Sequence, residues 1–264
     1  MKKLKDNDVI PYGRQFIDSD DVKAVFKVLK SEFLTQGPQV KLFEADITKK
    51  VKSEYAIAVN SATSGLHIAC LALGLKEKDI LWTVPNSFVA SANCGLYCGA
   101  EVDFVDIDPH SWNISIDSLK MKLEKARKIK KIPKILVSVH LGGNPTDQEK
   151  IYKLSKKYGF KIIEDASHSI GAKNNKEFIG SCKWSDITIF SFHPVKIITT
   201  GEGGVATTND EKIYKRLDLF RTHGITKNAS DFIYKDTKYW SYEQQELGFN
   251  YRMTDLQAAL GRSQ

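Results

Sequence analysis

The stretch SFHPVKIITTGEGG (Ser191–Gly204) carries one lysine, Lys196, just beyond the apolar run ITIF (Ile187–Phe190). Desolvation beside apolar strands favours the neutral amine of a lysine, and a neutral amine can form a Schiff base with an aldehyde. Most lysines are merely solvated, but few stand in such a context. The glycines of GEGG permit a tight turn that brings backbone close to a ligand. They make no P-loop, because the GK[ST] ending is missing. Ser191, at the start of the stretch, could hold a phosphate.

Three further stretches carry chemistry where an apolar run gives way to a turn. In NSATSGL (Asn60–Leu66) Ser and Thr residues open a helix, which serves either N-capping or anion binding by the first-turn amides. In NSFVASAN (Asn86–Asn93) Phe88 sits at a strand-to-helix turn, as core or as a plate for a flat ring. In IIEDASHSIG (Ile162–Gly171) Asp165 follows an apolar strand. A carboxylate there needs a partner, either a helix start or the protonated nitrogen of a ring. His168, close behind, is a core residue or a donor at the back of a site. An amine, a carboxylate, an aromatic plate and a phosphate cradle are together what pyridoxal phosphate needs for its aldehyde, ring nitrogen, ring face and phosphate.

The elements that must position these residues alternate. Two amphipathic helices come first, one after the caps of IDSDD with Val22, Val25, Val28 and Leu29 on a stripe, the other from Pro38, joined by the loop LTQG. YAIAV, ILWTV, VDFVDI, KILVSV, KIIED, DITIFSF and GVATT then read as short buried strands, with NSATSGLHIACLALGL, SFVASANCGLYCG and DQEKIYKLSKKYG as helices between them. This pattern predicts an α/β fold, a mostly parallel sheet covered by helices on both faces. Ligands of such sheets bind beyond the carboxyl ends of the strands, where all four stretches fall.

Composition narrows the rest. The formal charge is +7 over 264 residues, and its one dense patch, KARKIKKIPK, reads as a solvated helix end rather than a nucleic-acid site. The basic opening MKKLKDNDVIPYG has no apolar core, so no signal peptide is expected. No run is long enough to span a membrane. Cytoplasmic location, without nucleic-acid or membrane partners, is the expectation. Cys70, Cys94, Cys98 and Cys182 include no CxxC pair, and no histidine lies near Cys94 and Cys98 in sequence, so buried free thiols and no metal site are expected.

Nearly the whole chain resembles the DegT/DnrJ/EryC1/StrS sugar aminotransferases, of the fold-type I pyridoxal phosphate enzymes. The resemblance rests on IPYGRQFIDSDDVKAVFKVL, FLTQGPQVKLFE, AVNSATSGLHIA, SFVASAN, VHLGGNPTD, IIEDASHSIGA, SFHPVKIITTGEGGVATTND, FRTHGITK and ELGFNYRMTDLQAALG. It implies that Lys196 carries the cofactor aldehyde, that Asp165 pairs with the ring nitrogen, and that Phe88 stacks on the ring. Thr63 with the amide of Ala62, and Ser191, would hold the phosphate. His168 would lie near the ring's phenolic oxygen. Asn250 would reach the phosphate of a neighbour in a homodimer, and Tyr12 with Thr35 and Gln36 of LTQG would face the substrate.

The implied activity is transfer of an amino group from glutamate to C4 of a UDP-linked 4-keto-6-deoxy-N-acetylhexosamine, in pseudaminic acid biosynthesis. The motifs do not read the sugar or nucleotide, so a 3-keto, GDP- or dTDP-linked substrate stays open. Dehydratases of the family replace the lysine by histidine, and Lys196 argues against that branch. Family members continue into a smaller C-terminal domain, whereas this sequence stops within YRMTDLQAALGRSQ. A single large domain over residues 1–264, with an N-terminal helical segment and no small domain, is therefore expected. A cofactor-binding fragment without turnover is the remaining alternative.

Overall fold

Strands that are apolar on both sides must be covered on both sides, and this requirement organises the chain. The computed structural model describes residues 12–234 and 238–264. The basic opening through Pro11 lies outside the described residues. One sheet is built from β1 (Tyr55–Val59), β2 (Ile80–Thr83), β3 (Glu101–Phe104), β4 (Ile135–Val139), β5 (Lys161–Asp165), β6 (Ile187–Ser191) and β7 (Gly204–Thr208), in the order β1-β7-β6-β5-β4-β2-β3. Neighbours from β6 to β3 run parallel, whereas β7 is antiparallel to both β6 and β1. Every residue of β4, β6 and β7 is buried, as expected of a sheet with no wet face.

The helices are α1 (Ser19–Leu29), α2 (Pro38–Val51), α3 (Ala62–Ala72), α4 (Ala90–Tyr97), α5 (Ile116–Lys128), α6 (Gln148–Tyr158), α7 (Glu211–Arg221) and α8 (Asp255–Ser263). Strand alternation sorts the core into two clusters. Ile57 and Val59 of β1 and Ala206 of β7 face one cluster with Leu66 of α3, Leu123 of α5, Ile151 of α6 and Leu217 of α7. Ala56, Ala58 and Val205 face the other, with Val40, Phe43 and Ile47 of α2 and Ala258 of α8. Arg221 ties the edge strand down: it is buried and donates 2.6 Å to Glu44 and 2.7 Å to the Ala58 carbonyl.

The expected apolar stripe of α1 is buried only in part. Val28 is inside, but Val22 is 60% and Leu29 57% exposed. This helix sits at the periphery and packs chiefly on α8, which covers only a narrow side of it. Two short ribbons, Lys173–Asn174 with Glu177–Phe178 and Ile225–Thr226 with Glu243–Gln244, were not expected. Two-residue pairings carry too few side chains for a period to show. Among the described residues no helix is long and apolar enough to cross a membrane.

Candidate active site

Parallel alignment brings the carboxyl ends of β4, β5 and β6 to one edge, at Val139, Asp165 and Ser191. A cavity of about 670 Å³ opens there, walled by the start of α3, the turn into α4 and the loops that leave the three strands. Tyr12, Ala62, Thr63, Phe88, Asp165, His168, Ser191 and Lys196 all line it. The sequence-predicted residues of these five segments therefore converge.

Lys196 stands in the loop between β6 and β7, anchored by its backbone N–H, which donates to the His193 carbonyl (2.9 Å). Burial pushes its ammonium below the ordinary lysine range, against the opposing pull of the Asp165 charge. Its Nζ is hydrogen-bonded to His168 Nε2. Burial and the neighbouring Lys196 charge lower His168 in turn, with Asp165 opposing. A neutral imidazole is the form that accepts from the lysine. The His168 turn is buttressed from behind by Gly143, whose φ is +89°, and a Cβ there would stand 2.5 Å from the His168 carbonyl oxygen.

Asp165 ends β5 and is only 5% exposed. Ser91 Oγ donates to it at 2.6 Å, as do Ser167 Oγ at 2.6 Å and the Ser167 amide at 3.2 Å. These donors satisfy a buried carboxylate and leave it further lone-pair capacity on the cavity side. Beside it lies a second buried pair. His140 Nδ1 accepts from the Thr146 amide (3.0 Å), so Nε2 carries the proton and donates to Glu164 (2.8 Å). Burial acts to raise the Glu164 carboxyl, but its bonds from His140, Ser185 and Thr188 hold it below the usual range.

The start of α3 forms an anion cradle. Ser61 caps the helix by accepting from the Ser64 amide, and the first intrahelical bond runs from Gly65 N to the Ser61 carbonyl. The earlier amides of Ala62 and Thr63 have no carbonyl to bond within the helix. Gly204 lets β7 press against this turn, since a Cβ there would lie 2.7 Å from the Ala62 nitrogen. Ser191 lines the same cavity, and its Oγ accepts from the His193 amide at 3.5 Å. Phe88 is no core residue: it lines the cavity and is 75% exposed, a ring face open to a planar ligand. Tyr12 is 91% exposed at the cavity wall.

Thr35, Gln36 and Asn250 are not brought to this cavity. Asp255, at the start of α8, accepts from the Gly37 and Gln39 amides, and Thr35 bridges Thr254. The LTQG loop is thus tied to α8. Asn250 bridges Thr222, and its carbonyl accepts from Asn60 Nδ2 at 3.4 Å, with its side chain exposed. Conversely, His140, His193, Glu202, Ser87 and Ser167 line the cavity and were not anticipated. Ser91 was also passed over, although a serine one helical turn beyond Phe88 in an apolar helix was the available signal.

Chemically the cavity can capture an aldehyde, hold a cationic ring nitrogen, stack a flat ring and bind an anion. The DegT/DnrJ/EryC1/StrS aminotransferase family matches residues 15–264. UDP-4-amino-4,6-dideoxy-N-acetyl-beta-L-altrosamine transaminase of Campylobacter jejuni is 40% identical over 256 residues, which are 97% of this chain and 64% of that protein. The chain therefore spans somewhat under two thirds of that relative's length. The structure of Helicobacter pylori PseC, an aminotransferase involved in the biosynthesis of pseudoaminic acid, is similar with a TM-score of 0.84 and 32% identity, covering 96% of this chain and 64% of that one. NtdA of Bacillus subtilis, solved with bound PMP, is similar with a TM-score of 0.77 and 30% identity, covering 94% of this chain and 53% of that one.

Proposed function

From the premise that the chain belongs to the DegT/DnrJ/EryC1/StrS aminotransferase family, we propose that it binds pyridoxal phosphate and moves an amino group from glutamate to C4 of a UDP-linked 4-keto-6-deoxy-N-acetylhexosamine, in pseudaminic acid biosynthesis. The observation that carries the reading is the meeting of Lys196, His168 and Asp165 in one cavity beyond parallel strands. The residues fit the cofactor. A lysine held below its usual range suits the aldehyde, and a buried, serine-held carboxylate suits a protonated ring nitrogen. The open first turn of α3 suits a phosphate, and Ser191 lines the same cavity.

The bound cofactor supplies an electron sink for the carbon that loses its proton. The protein's own groups do the rest. Lys196 Nζ, as free amine, takes that proton and returns it on the other side of the exchange. His168 Nε2 accepts from Nζ and holds the amine in place between these transfers. Asp165, itself fixed by Ser91 and Ser167, would hold the ring-nitrogen proton. Phe88 would cover a face of the ring. Tyr12, Thr35 and Gln36 serve the sugar. Asn250 completes the phosphate site of a second copy in a homodimer, and the described residues are the large, cofactor-binding domain of an enzyme of the cytoplasm.

The UDP sugar is supported by the name of the C. jejuni relative. Incubating the purified protein with glutamate and UDP-, GDP- and dTDP-linked 4-keto and 3-keto sugars, with products read by mass spectrometry, tests it. Amination of the UDP 4-keto sugar in preference to the others is expected. Preference for another sugar would overturn the substrate, and no amination of any would overturn the activity.

A further inference from the structure

Ser87 immediately precedes the exposed ring of Phe88 and lines the same cavity. Its Oγ lies 3.0 Å from Ser91 Oγ, one helical turn on, and Ser91 Oγ donates to Asp165 Oδ2 at 2.6 Å. Proton counting fixes the direction of the first contact. A carboxylate oxygen only accepts, and a serine hydroxyl has a single proton to give. The Ser91 proton is spent on Asp165, so Ser87 is the donor to Ser91. The hydroxyls therefore form a one-way chain. It starts on half-buried Ser87 at the cavity wall, passes through buried Ser91 and ends on the buried carboxylate.

The two oxygens of Asp165 are not equivalent. Each offers about two lone-pair sites. Oδ1 takes both donors of Ser167, the hydroxyl at 2.6 Å and the amide at 3.2 Å, and is filled. Oδ2 takes Ser91 alone, so among the described residues it is the oxygen with room for one more donor. The turn that carries the chain also carries the aromatic plate. The Ser91 amide donates to the Phe88 carbonyl at 3.2 Å. Asn86 Nδ2 donates to the Trp112 carbonyl at 2.8 Å and pins the turn from outside. One turn thus presents Phe88 to a ring face and, through two hydroxyls, is tied to the carboxylate at the ring edge.

Resting on the cofactor binding proposed for this cavity, we propose that Asp165 Oδ2 is the oxygen that takes the ring-nitrogen proton, and that Ser87 is a positioning residue that acts on this oxygen through Ser91. A hydroxyl that accepts a hydrogen bond becomes a stronger donor, so Ser87 tightens the hold of Ser91 on Oδ2. Donors to a carboxylate favour its charged form. The shared proton then stays on the ring nitrogen, which must be cationic for the ring to withdraw electrons well. Ser87 touches neither Asp165 nor the ring nitrogen, and its whole effect passes through the Ser91 hydroxyl.

The test loads the whole chain with pyridoxal phosphate carrying nitrogen-15 in its ring. NMR at fixed pH reads that nitrogen between the positions of the protonated and unprotonated free cofactor. The unaltered protein should hold the signal near the protonated position. Ser87→Ala should move it toward the unprotonated one, changing the ratio of the two forms by about fivefold, the worth of one hydrogen bond. Ser87→Thr keeps the hydroxyl and should restore the signal. Ser91→Ala should move it further than Ser167→Ala, because only Ser91 shares Oδ2. An unmoved signal in Ser87→Ala, or a larger shift in Ser167→Ala than in Ser91→Ala, overturns this proposal alone. An unaltered protein that does not bind the labelled cofactor overturns the proposed function, and this proposal with it. Neutron diffraction from the deuterated, cofactor-free chain decides the direction of the hydroxyls without any variant. The Ser87 deuteron should point to Ser91 Oγ and the Ser91 deuteron to Oδ2, and a Ser91 deuteron aimed at Ser87 overturns the proposal.

Discussion

The residues around Lys196 and those around Asn250 serve the same kind of site in the sequence reading, one from within the chain and the other from a neighbour, and the fold treats them differently. Lys196, Asp165 and Ser191 stand on or just beyond neighbouring strands of one sheet, whose parallel register sets them side by side. Thr35, Gln36 and Asn250 hang on loops tied to α8 and to α7's end, outside the cavity of their own chain. Strand ends converge by topology within one chain. Loop residues facing outward can complete such a site only from another copy. Under the proposed function, the first group works in any oligomeric state and the second only across an interface.

The sharpest way to break this contrast is Lys196→Ala. Transamination should fall by about 10³-fold, and borohydride should no longer fix the cofactor to the chain. In the unaltered protein, peptide mapping should place the reduced adduct on Lys196. Its yield should rise with pH to a midpoint below the 10.4 or so of a free lysine, because burial favours the amine. A midpoint at or above that value would contradict the desolvated lysine.

Asp165→Asn is nearly isosteric and keeps one acceptor oxygen, enough for either Ser91, which donates to Oδ2, or Ser167, which donates to Oδ1. Turnover should drop on the order of 100-fold with an unchanged circular dichroism spectrum, and near-normal rates would reduce Asp165 to a helix cap. Gly204→Ala comes next. Its Cβ would crowd the Ala62 amide, and overpacking of about 1–3 kcal/mol should appear as a cofactor affinity lowered about tenfold, measured by fluorescence titration. The smallest effect separates the two groups. Asn250→Ala removes one hydrogen bond, about 1 kcal/mol, so affinity should weaken a few-fold, and only at concentrations where sedimentation shows a dimer. The same loss in a monomer would place Asn250 in its own chain's site.

The fold was legible because its signals are local. YAIAV and KILVSV are apolar on both faces, and such runs have few places to go except a covered sheet. Lys196 and Asp165 were legible because each follows such a run. What stayed hidden depends on long-range meetings. The LTQG loop is held by Asp255, more than two hundred residues away. His140 reads as one histidine after an apolar strand, and only the pairing of β4 with β5 sets it against Glu164. The α1 stripe misled because periodicity reports an apolar side without saying how much of it a neighbour covers.

The place of β7 in the sheet bears on how the chain is made. Of the seven strands of the sheet, β1 is the first to leave the ribosome, yet its partner across all five residues, Tyr55 with Thr208 through Val59 with Gly204, is the last. At about 5–20 residues per second, the edge segment YAIAV waits on the order of ten seconds for its ladder. Arg221, which donates to the Ala58 carbonyl, arrives later still. Such non-local closure slows folding, and during that interval an apolar strand with unpaired amides is a template for other chains. Early synthesis is thus the stage at which this strand is most open to pairing with the wrong chain.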